Sequence, residues 1–184
     1  MTAMNVLVLG GYGNFGTRIC KALAGHPQIH LLIAGRNPSK AQVLADTVGH
    51  HTQALALDHE APDLAQQLRA LNVGLVIHTA GPFQAQDYGV AQAAAQAGCH
   101  YIDLADGRRF VCDFPAAMHG AFSSAGRTAV TGASTVPALS SAVVDALCSG
   151  WRSTDTIDIC IAPAQRAPRG EATLAAVLSY CGVP

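Results

Sequence analysis

An apolar run near the N-terminus leads directly into a turn that is rich in glycine. Residues 5–9 read NVLVL, and residues 10–16 read GGYGNFG. Gly11, Gly13 and Gly16 have the spacing G-x-G-x-x-G, which between a strand and a helix is typical of a dinucleotide-binding turn. Such a turn constrains the chain to a strand, a tight turn and a helix that pack closely on one another. This segment therefore predicts an α/β fold that begins with a βαβ unit.

Each glycine of this turn has its own predicted role. Gly11 permits the tight turn, Gly13 lets the backbone approach a pyrophosphate, and Gly16 lets the helix pack closely on the strand. The helix that opens near Asn14 is expected to direct its N–H groups and the positive end of its dipole at the phosphates. The predicted phosphate-binding residues are Gly10, Gly11, Tyr12, Gly13, Asn14, Phe15 and Gly16.

Strand-like apolar runs alternate with helical patterns along the first 130 residues. Strands are predicted at about 5–9, 29–34, 52–57, 74–79, 100–104 and 127–131, and helices near 14–24, 38–48, 61–71, 87–97 and 113–125. Strict alternation indicates right-handed crossovers and a parallel sheet. We predict a Rossmann-like, doubly wound parallel sheet with the strand order 3-2-1-4-5-6. Its ligand is expected where strands 1 and 4 end, between segments 10–16 and 79–83.

The last fifty residues do not fit into this six-stranded unit. They predict a helix at about 138–149, a strand at 156–162 and a last helix that ends near 181. The extra strand is expected to begin a second α/β domain. We therefore predict a nucleotide-binding domain over 1–150, the beginning of a truncated substrate or dimerisation domain over 151–184, and a chain that is part of a longer protein.

The end of the second predicted strand indicates which dinucleotide binds. In NAD-binding units an Asp or Glu at this point bonds the ribose 2′-hydroxyl. Here the segment reads AGRN, so Arg36 stands there, twenty positions after Gly16. A guanidinium matches a phosphate in charge and in geometry, which favours NADP(H) over NAD(H). Asn37 and Lys40 lie beside it; the alternative is that Arg36 is a solvated loop residue.

The ends of strands 3 and 4 supply further predicted contacts. Asp58 is positioned to reach the adenine edge, or else to cap the next helix. The segment after strand 4 is expected to line the ribose and nicotinamide, since small residues and a proline allow close approach in a fixed turn. Its residues are Thr79, Ala80, Gly81 and Pro82. His78 is interpreted as a packed core residue rather than an acid or base.

Strand 5 carries Tyr101, Asp103 and Asp106 toward the same edge of the sheet. The two carboxylates are interpreted as structural hydrogen-bond acceptors in preference to substrate-binding groups. The sequence contains no G-x-S-x-G segment, so hydrolysis by a nucleophile elbow is disfavoured.

Composition excludes several other classes of protein. A net charge of -1 and 5% aromatic residues argue against nucleic-acid binding. No apolar run is long enough to span a bilayer, and no basic residue precedes the first apolar run, so we expect a cytoplasmic protein with no membrane partner. The six cysteines form no C-x-x-C pair and the histidines have no ligand-like spacing. We therefore predict no metal site and reduced, mostly buried thiols.

Several segments together resemble the NADP-binding part of saccharopine dehydrogenase-like proteins. They read GGYGNFG at 10–16, AGRN at 34–37, AGPFQ at 80–84, QAGCHYIDLAD at 96–106, GASTVPALSSAVVDAL at 132–147 and PRGEAT at 168–173. The resemblance implies a Rossmann domain followed by a substrate and dimerisation domain. It implies redox chemistry with NADP(H) on a small molecule, often at a C–N bond of an amino-acid derivative, and a homodimer. By matching position, it assigns cofactor binding to Gly11, Gly13, Gly16 and Arg36, with Ala80 and Gly81 lining the nicotinamide.

Two alternatives to this enzyme remain at this stage. A short-chain dehydrogenase is disfavoured, because no tyrosine is followed four positions later by the lysine of the pattern Y-x-x-x-K. A module that senses NADP(H) without turnover is consistent with the same residues, since a fold does not determine a function. The catalytic residues are not predictable from this chain, and the isolated chain is expected to be inactive.

Overall fold

Six parallel strands form one sheet in the order 3-2-1-4-5-6. The computed structural model describes residues 3–49, 51–162, 166, 170–179 and 181. The strands are β1 (Met4–Leu9), β2 (Ile29–Gly35), β3 (Thr52–Ala56), β4 (Val73–His78), β5 (His100–Asp103) and β6 (Ala129–Val130). Each neighbouring pair is parallel. The predicted doubly wound Rossmann-like sheet is confirmed.

Helices connect the strands and cover the sheet. They are α1 (Asn14–Leu23), α2 (Pro38–Val48), α3 (Leu64–Ala70), α4 (Gly89–Ala97), α5 (Arg108–Ala125), α6 (Ser140–Leu147) and α7 (Glu171–Leu178). The largest difference from the predicted bounds is at α5, which begins five residues earlier. Phe110, Phe114, Met118 and Phe122 recur every four residues and are all buried. This apolar stripe continues through Pro115, so packing on the sheet extends the helix to both sides of the proline.

The sheet has a hydrophobic core on each face. Val6 and Val8 point toward the core that α1 and α2 cover, whereas Leu7 and Leu9 point toward the core that α3, α4 and α5 cover. Because β1 lies in the middle of the sheet, successive side chains are buried on opposite faces, and the strand is a continuous apolar run. Burial on both faces places the end of β1, and the turn after it, at the centre of the carboxyl edge.

Two predicted helix boundaries are confirmed by their backbone geometry. Pro38 begins α2, where its missing N–H costs no helical hydrogen bond. Gly98 follows α4 in the left-handed conformation, with φ +73°. The buried residues of α4 are Val90, Ala91, Ala93, Ala94 and Ala95, so the helix packs on its neighbours mainly through alanines.

The strand predicted at 156–162 is wrong. No strand follows β6 in the part of the chain that the structure describes, and residues 151–162 are exposed. Ile157, Ile159 and Ile161 alternate as in a strand, yet each is more than half exposed. A strand forms only when a neighbour accepts and donates its backbone hydrogen bonds, and none of the described strands lies beside this segment. The helix predicted to end near 181 ends at Leu178, and the division into domains 1–150 and 151–184 stays a prediction.

Candidate functional site

The glycine loop, residues 10–16, is tied to the end of β2. The N–H groups of Gly10 and Gly11 both donate to the Ala34 carbonyl oxygen, at 2.9 and 3.1 Å, and the Gly13 N–H donates to the Gly10 carbonyl oxygen at 2.9 Å. Gly10 has φ +80°, a conformation that favours glycine. The tight turn predicted for this loop is therefore present, but the residue in the glycine-favouring conformation is Gly10 and not Gly11, to which the turn was assigned.

Two glycines of the loop are required by close neighbours. A Cβ on Gly16 would overlap the Gly10 carbonyl oxygen and lie 2.7 Å from the Gly11 Cα atom. A Cβ on Gly11 would lie 2.8 Å from Cγ2 of Ile33 in β2. Helix, loop and strand therefore approach more closely than any other residue type allows, as the spacing predicts for Gly16.

The outer side of the loop has the properties of an anion cradle. Gly13 is exposed, and a Cβ there would contact one backbone oxygen, that of Gly10, at 3.0 Å. Gly13 is also the N-cap of α1, where no side chain caps the helix and the first turn contains no acidic residue. The first turn of α1 thus carries no negative side chain that would compete with an anion, and the charge at this end suits a pyrophosphate.

The segment after β4 lies against the glycine loop, as the strand order predicts. The Thr79 hydroxyl donates to the carbonyl oxygens of Leu9 and Gly10, at 2.9 and 3.1 Å. A Cβ on Gly10 would lie 3.0 Å from the Ala80 nitrogen. The hydroxyl of Thr79 therefore supports the loop, and the backbone of segment 79–82 is available to line a ligand.

Gln86 holds this segment in place, a role that sequence reasoning missed. Its Nε2 donates to the carbonyl oxygens of Ala80 and Pro82, at 2.7 and 3.0 Å. Its Oε1 lies 3.1 Å from Nε2 of His78. Since an amide oxygen only accepts, Nε2 of His78 carries the proton. A glutamine in a loop gives no pattern that would have indicated these contacts.

His78 is a core residue and not a candidate acid or base. It is 1% exposed, and its ring packs against Phe83 with centroids 5.0 Å apart. Burial, and to a smaller extent the nearby His59, lowers the pKa of His78 to about 3. The imidazole is therefore neutral at physiological pH, with Nδ1 buried and without a hydrogen-bond partner in the described structure. The interpretation of His78 as a packed residue is confirmed.

Arg36 directly follows β2, and the next residue, Asn37, is hydrogen-bonded to both the glycine loop and α2. Arg36 is exposed, and the Asn37 N–H beside it donates to the Tyr12 hydroxyl at 2.9 Å. The side-chain oxygen of Asn37 accepts from the Lys40 N–H at 3.0 Å, so Asn37 caps α2. Among the predicted cofactor residues, the structure thus brings Tyr12 and Asn37 together and leaves the Arg36 side chain open to solvent.

Asp58 lies beyond β3 and stabilises a turn. Its Oδ1 accepts from the Glu60 N–H at 3.1 Å and lies 3.5 Å from Nδ1 of His59. The alternative that it caps the next helix is wrong, because α3 begins at Leu64 and Asp63 occupies the capping position. Asp58 is exposed at the carboxyl edge of the sheet, where one of its oxygens remains open to a ligand.

The carboxylates at the end of β5 and just after it serve the fold, as predicted. Oδ1 of the fully buried Asp103 accepts from the N–H groups of Ala105 and Gly132 and from the Thr131 hydroxyl, at 2.8–3.0 Å. Burial raises the pKa of Asp103, although these hydrogen bonds act in the opposite direction. Asp106 accepts from Nε2 of Gln84 at 3.0 Å.

Tyr101 is likewise a core residue. It is 2% exposed and stacks on Phe114 of α5, with ring centroids 5.9 Å apart. Burial raises the pKa of its hydroxyl well above the ordinary value. Tyr101 therefore contributes packing to the sheet and no reactive group to its edge.

The described residues contain neither a metal-ligand cluster nor a helix that could span a membrane. No group of three or more His, Cys, Asp or Glu side chains converges within the described residues. None of the described helices is both long and apolar enough to cross a bilayer.

The prediction of mostly buried thiols is wrong. Cys20 and Cys99 are buried, whereas Cys112, Cys160 and Cys181 are exposed. Burial raises the pKa of Cys20 to about 12 and that of Cys99 to about 11, so the two core thiols stay protonated. The exposed cysteines lie on the outer side of α5 or after α6, where no sheet covers them.

Comparison with known proteins agrees with this geometry. Residues 6–130 match the family model of the saccharopine dehydrogenase NADP binding domain. That range begins in β1 and ends with β6, so it contains the whole sheet except the first two residues of β1. No curated protein sequence is detectably similar to this chain.

Solved structures share the fold. Apo saccharopine dehydrogenase (L-Glu forming) from Saccharomyces cerevisiae matches with a TM-score of 0.54 and 20% identity, over 71% of this chain and 27% of that one. GenD2 from gentamicin A biosynthesis, in complex with NAD, matches with a TM-score of 0.57 and 19% identity, over 82% of this chain and 40% of that one. The chain thus spans less than half the length of either. With residues 6–130 matched to its model, the chain belongs to the saccharopine dehydrogenase NADP-binding domain family, and its cofactor is NADP(H).

Proposed function

We propose that this chain supplies the NADP(H)-binding part of an oxidoreductase that transfers a hydride at a C–N bond of an amino-acid derivative. The observation that carries the proposal is the junction of the uncapped N-terminus of α1 with the end of β4. There a Cβ on Gly10 would lie only 3.0 Å from the Ala80 nitrogen, so the two segments pack closely. A dinucleotide that crosses this junction has its pyrophosphate on one segment and its nicotinamide on the other.

Each segment of the junction has a proposed task toward the cofactor. The glycine loop, with Gly10, Gly11, Tyr12, Gly13, Asn14, Phe15 and Gly16, binds the pyrophosphate through backbone N–H groups and the dipole of α1. Arg36, with Asn37 and Lys40 beside it, binds the 2′-phosphate of the adenosine ribose. Asp58 lies near the adenine edge.

The segment Thr79, Ala80, Gly81 and Pro82 lines the nicotinamide side. Gln86 bonds the carbonyl oxygens of Ala80 and Pro82, so these oxygens face its side chain, and we assign the opposite face of the turn to the ring. NADP(H), when bound, supplies the hydride. The neutral His78 donates no proton there, so we place the proton donor outside the described sheet.

Paired titrations with NADPH and NADH test the assignment of Arg36. We expect Arg36→Gln to raise the Kd for NADPH by about 10- to 100-fold, since a hydrogen-bonded charge pair contributes about 1.5–3 kcal/mol. The Kd for NADH should change by less than about twofold, because NADH has no 2′-phosphate. Fluorescence of the reduced nicotinamide gives both constants on the 184-residue chain.

The matched control for this titration is Lys21→Gln. It removes one positive charge from the last turn of α1, at the opposite edge of the sheet. This variant should leave both constants unchanged, because exposed charges beyond a Debye length are screened. Equal losses of NADPH and NADH affinity in Arg36→Gln would contradict the 2′-phosphate role.

A second candidate function is an NADP(H) sensor without turnover. It is favoured because three polar side chains near the junction already have structural roles: His78 is neutral and buried, the Thr79 hydroxyl bonds the backbone, and Oδ1 of Asp103 is bonded to the turn after β6. Turnover of NADPH by the full-length protein against a panel of imines and amino acids separates the two functions. Oxidation of NADPH with one class of substrate supports the enzyme; tight binding with no oxidation supports the sensor.

The wider setting of the chain is also part of the proposal. We propose a cytoplasmic protein in which residues 151–184 begin the substrate and dimerisation domain, so the isolated chain binds cofactor but does not turn over. Size-exclusion chromatography of the full-length protein tests the homodimer. A monomer at micromolar concentration would contradict it.

A further inference from the structure

Tyr12 joins the two places where the cofactor's phosphates are proposed to bind. It belongs to the glycine loop, between Gly11 and Gly13, yet its side chain reaches the end of β2. There its hydroxyl oxygen accepts a hydrogen bond from the backbone N–H of Asn37, at 2.9 Å. The donor is the residue directly after Arg36, so the tyrosine holds the backbone from which Arg36 projects.

The tyrosine ring lies against Gly35, on the other side of Arg36. A Cβ on Gly35 would lie 2.5 Å from Cε1 of Tyr12 and 2.8 Å from both Cζ and the hydroxyl oxygen. This approach is possible only because residue 35 has no side chain. Gly35 has no positive φ, so the space that the ring occupies, and not the backbone conformation, is what requires glycine here.

Arg36 therefore lies between two residues whose positions are fixed by contacts with Tyr12, whereas its own side chain is exposed to solvent. Gly35 packs under the ring, and Asn37 is fixed through its N–H to Tyr12 and through its side chain to the Lys40 N–H. Within the described part of the chain, no hydrogen bond or salt bridge is found for the guanidinium of Arg36, which is exposed. The direction of this side chain thus depends on the backbone that Tyr12 fixes.

We propose that Tyr12 is a positioning residue for cofactor choice: it orients Arg36 toward the 2′-phosphate and couples that site to the pyrophosphate loop. The inference rests on the proposed role of Arg36. Its physical basis is preorganisation, because a backbone that is already fixed loses less entropy when the guanidinium binds a phosphate. Tyr12 then affects NADPH binding through Arg36 and has little effect on NADH.

The test is a double-mutant cycle between Tyr12→Phe and Arg36→Gln, with Kd values for NADPH and NADH. Tyr12→Phe keeps the ring on Gly35 and removes the acceptor of the Asn37 N–H. One hydrogen bond corresponds to about a 3- to 10-fold loss of NADPH affinity. The NADH constant should change by less than about twofold. In the Arg36→Gln background, Tyr12→Phe should no longer change the ratio of the two constants.

A second variant perturbs the same contact from the opposite side. Gly35→Ala places a methyl group where the Tyr12 ring lies. The tyrosine keeps its hydroxyl group, but the ring and the hydroxyl are displaced. It should lower the NADPH preference in the same direction as Tyr12→Phe. Circular dichroism and thermal unfolding show whether each variant is folded. If Tyr12→Phe does not fold, the cofactor affinities of Gly35→Ala test the same contact.

Tyr88→Phe is the matched control. The Tyr88 hydroxyl donates to the Phe110 carbonyl oxygen at 3.0 Å, on the other face of the sheet. Its loss should lower stability and leave the ratio of NADPH to NADH affinity unchanged.

The cycle separates a failure of this inference from a failure of the proposed function. If Arg36→Gln alone leaves the NADPH preference intact, the role of Arg36 is wrong. If Arg36→Gln removes the preference but Tyr12→Phe weakens both cofactors equally, or acts equally in both backgrounds, the positioning role of Tyr12 is overturned.

Discussion

Apolar side chains are buried in one region of the molecule and exposed in another. The first region is the sheet unit, residues 4–133, and the second is the later segment, for which the described residues within 139–178 are compared. Leu7 in β1 has no exposed surface, whereas Leu147 in α6 is 70% exposed and Trp151 is 65% exposed. Beyond residue 133, Ala176 alone is buried among the described residues. The two regions have similar side chains but different neighbours, since the sheet is covered on both faces and α6 is not. An apolar pattern therefore indicates what a segment can bury, and its neighbours decide whether it is buried.

The largest expected effect comes from truncating one leucine in each region. Leu7→Ala should lower the free energy of unfolding by about 2–5 kcal/mol, because it leaves a cavity in a core closed on both sides. Leu147→Ala should change it by less than about 0.5 kcal/mol, as for an exposed site. Urea denaturation followed by circular dichroism measures both. Equal losses would mean that α6 is as well packed as the sheet.

The next effect concerns glycines that differ in their surroundings. Gly16→Ala forces a methyl group into the backbone of the glycine loop and should cost about 1–3 kcal/mol and abolish NADPH binding. Gly120→Ala, in the middle of α5, meets nothing within 4 Å. It should instead stabilise the chain by about 0.5–1 kcal/mol. Thermal unfolding and NADPH titration check both; a neutral Gly16→Ala would refute the close packing of α1 on the loop.

Acid should destabilise the sheet unit through His78. Its pKa is lowered from 6.5 to about 3 in the folded chain, so the unfolded chain binds the proton more tightly. Stability is therefore full above about pH 6.5 and is lost as the pH falls toward 3, by up to about 1.4 kcal/mol per pH unit. His78→Gln should flatten this dependence, whereas His119→Gln, at an exposed site on α5, should not. Urea midpoints from pH 7 to pH 4 test this, and an unchanged slope in His78→Gln would contradict it.

The smallest effect compares the same local strain in the two regions. Gly126 and Gly150 follow helices with φ +61° and +85°. Alanine at either position costs about 1 kcal/mol locally, since a side chain disfavours this conformation. Gly126→Ala should lower the main thermal transition, because it lies in the sheet unit. Gly150→Ala should leave that transition in place, because a segment with few buried contacts opens by itself. An equal shift would show that both regions unfold together.

Much of the fold was predictable because its signals are local. Local signals include the apolar run of β1, the G-x-G-x-x-G spacing and the glycine at the end of α4, Gly98. Each of them depends only on its own backbone or on its immediate neighbours. The strand order followed from the alternation of strands and helices, because right-handed crossovers leave few topologies. For the same reason the meeting of the glycine loop with Thr79 and Ala80 was predictable before the structure.

The contacts that were not predictable are long-range and use ordinary residues. Gln86 bonds Ala80, Pro82 and His78 across a loop, and no spacing distinguishes it from Gln84. The hydroxyl of Tyr12 meets the Asn37 N–H from 25 positions away. Such pairs depend on how β1 and β2 align in the sheet, which a single sequence does not specify in advance.

The strand predicted at 156–162 failed for a related reason. Its alternation of isoleucines is real, but a strand needs a neighbour with which to exchange hydrogen bonds. The alternation thus shows that the segment could form a strand, but among the described residues no partner strand pairs with it.

The doubly wound sheet and the turn of the glycine loop follow from the sequence alone, because glycine spacing and apolar periodicity act at short range. Only the tertiary structure decided that His78 is neutral, that Asp103 serves the turn after β6, and that Tyr12 holds the backbone around Arg36. Those properties arise from burial and from contacts between distant segments. Burial and long-range contact exist only once the strands have aligned.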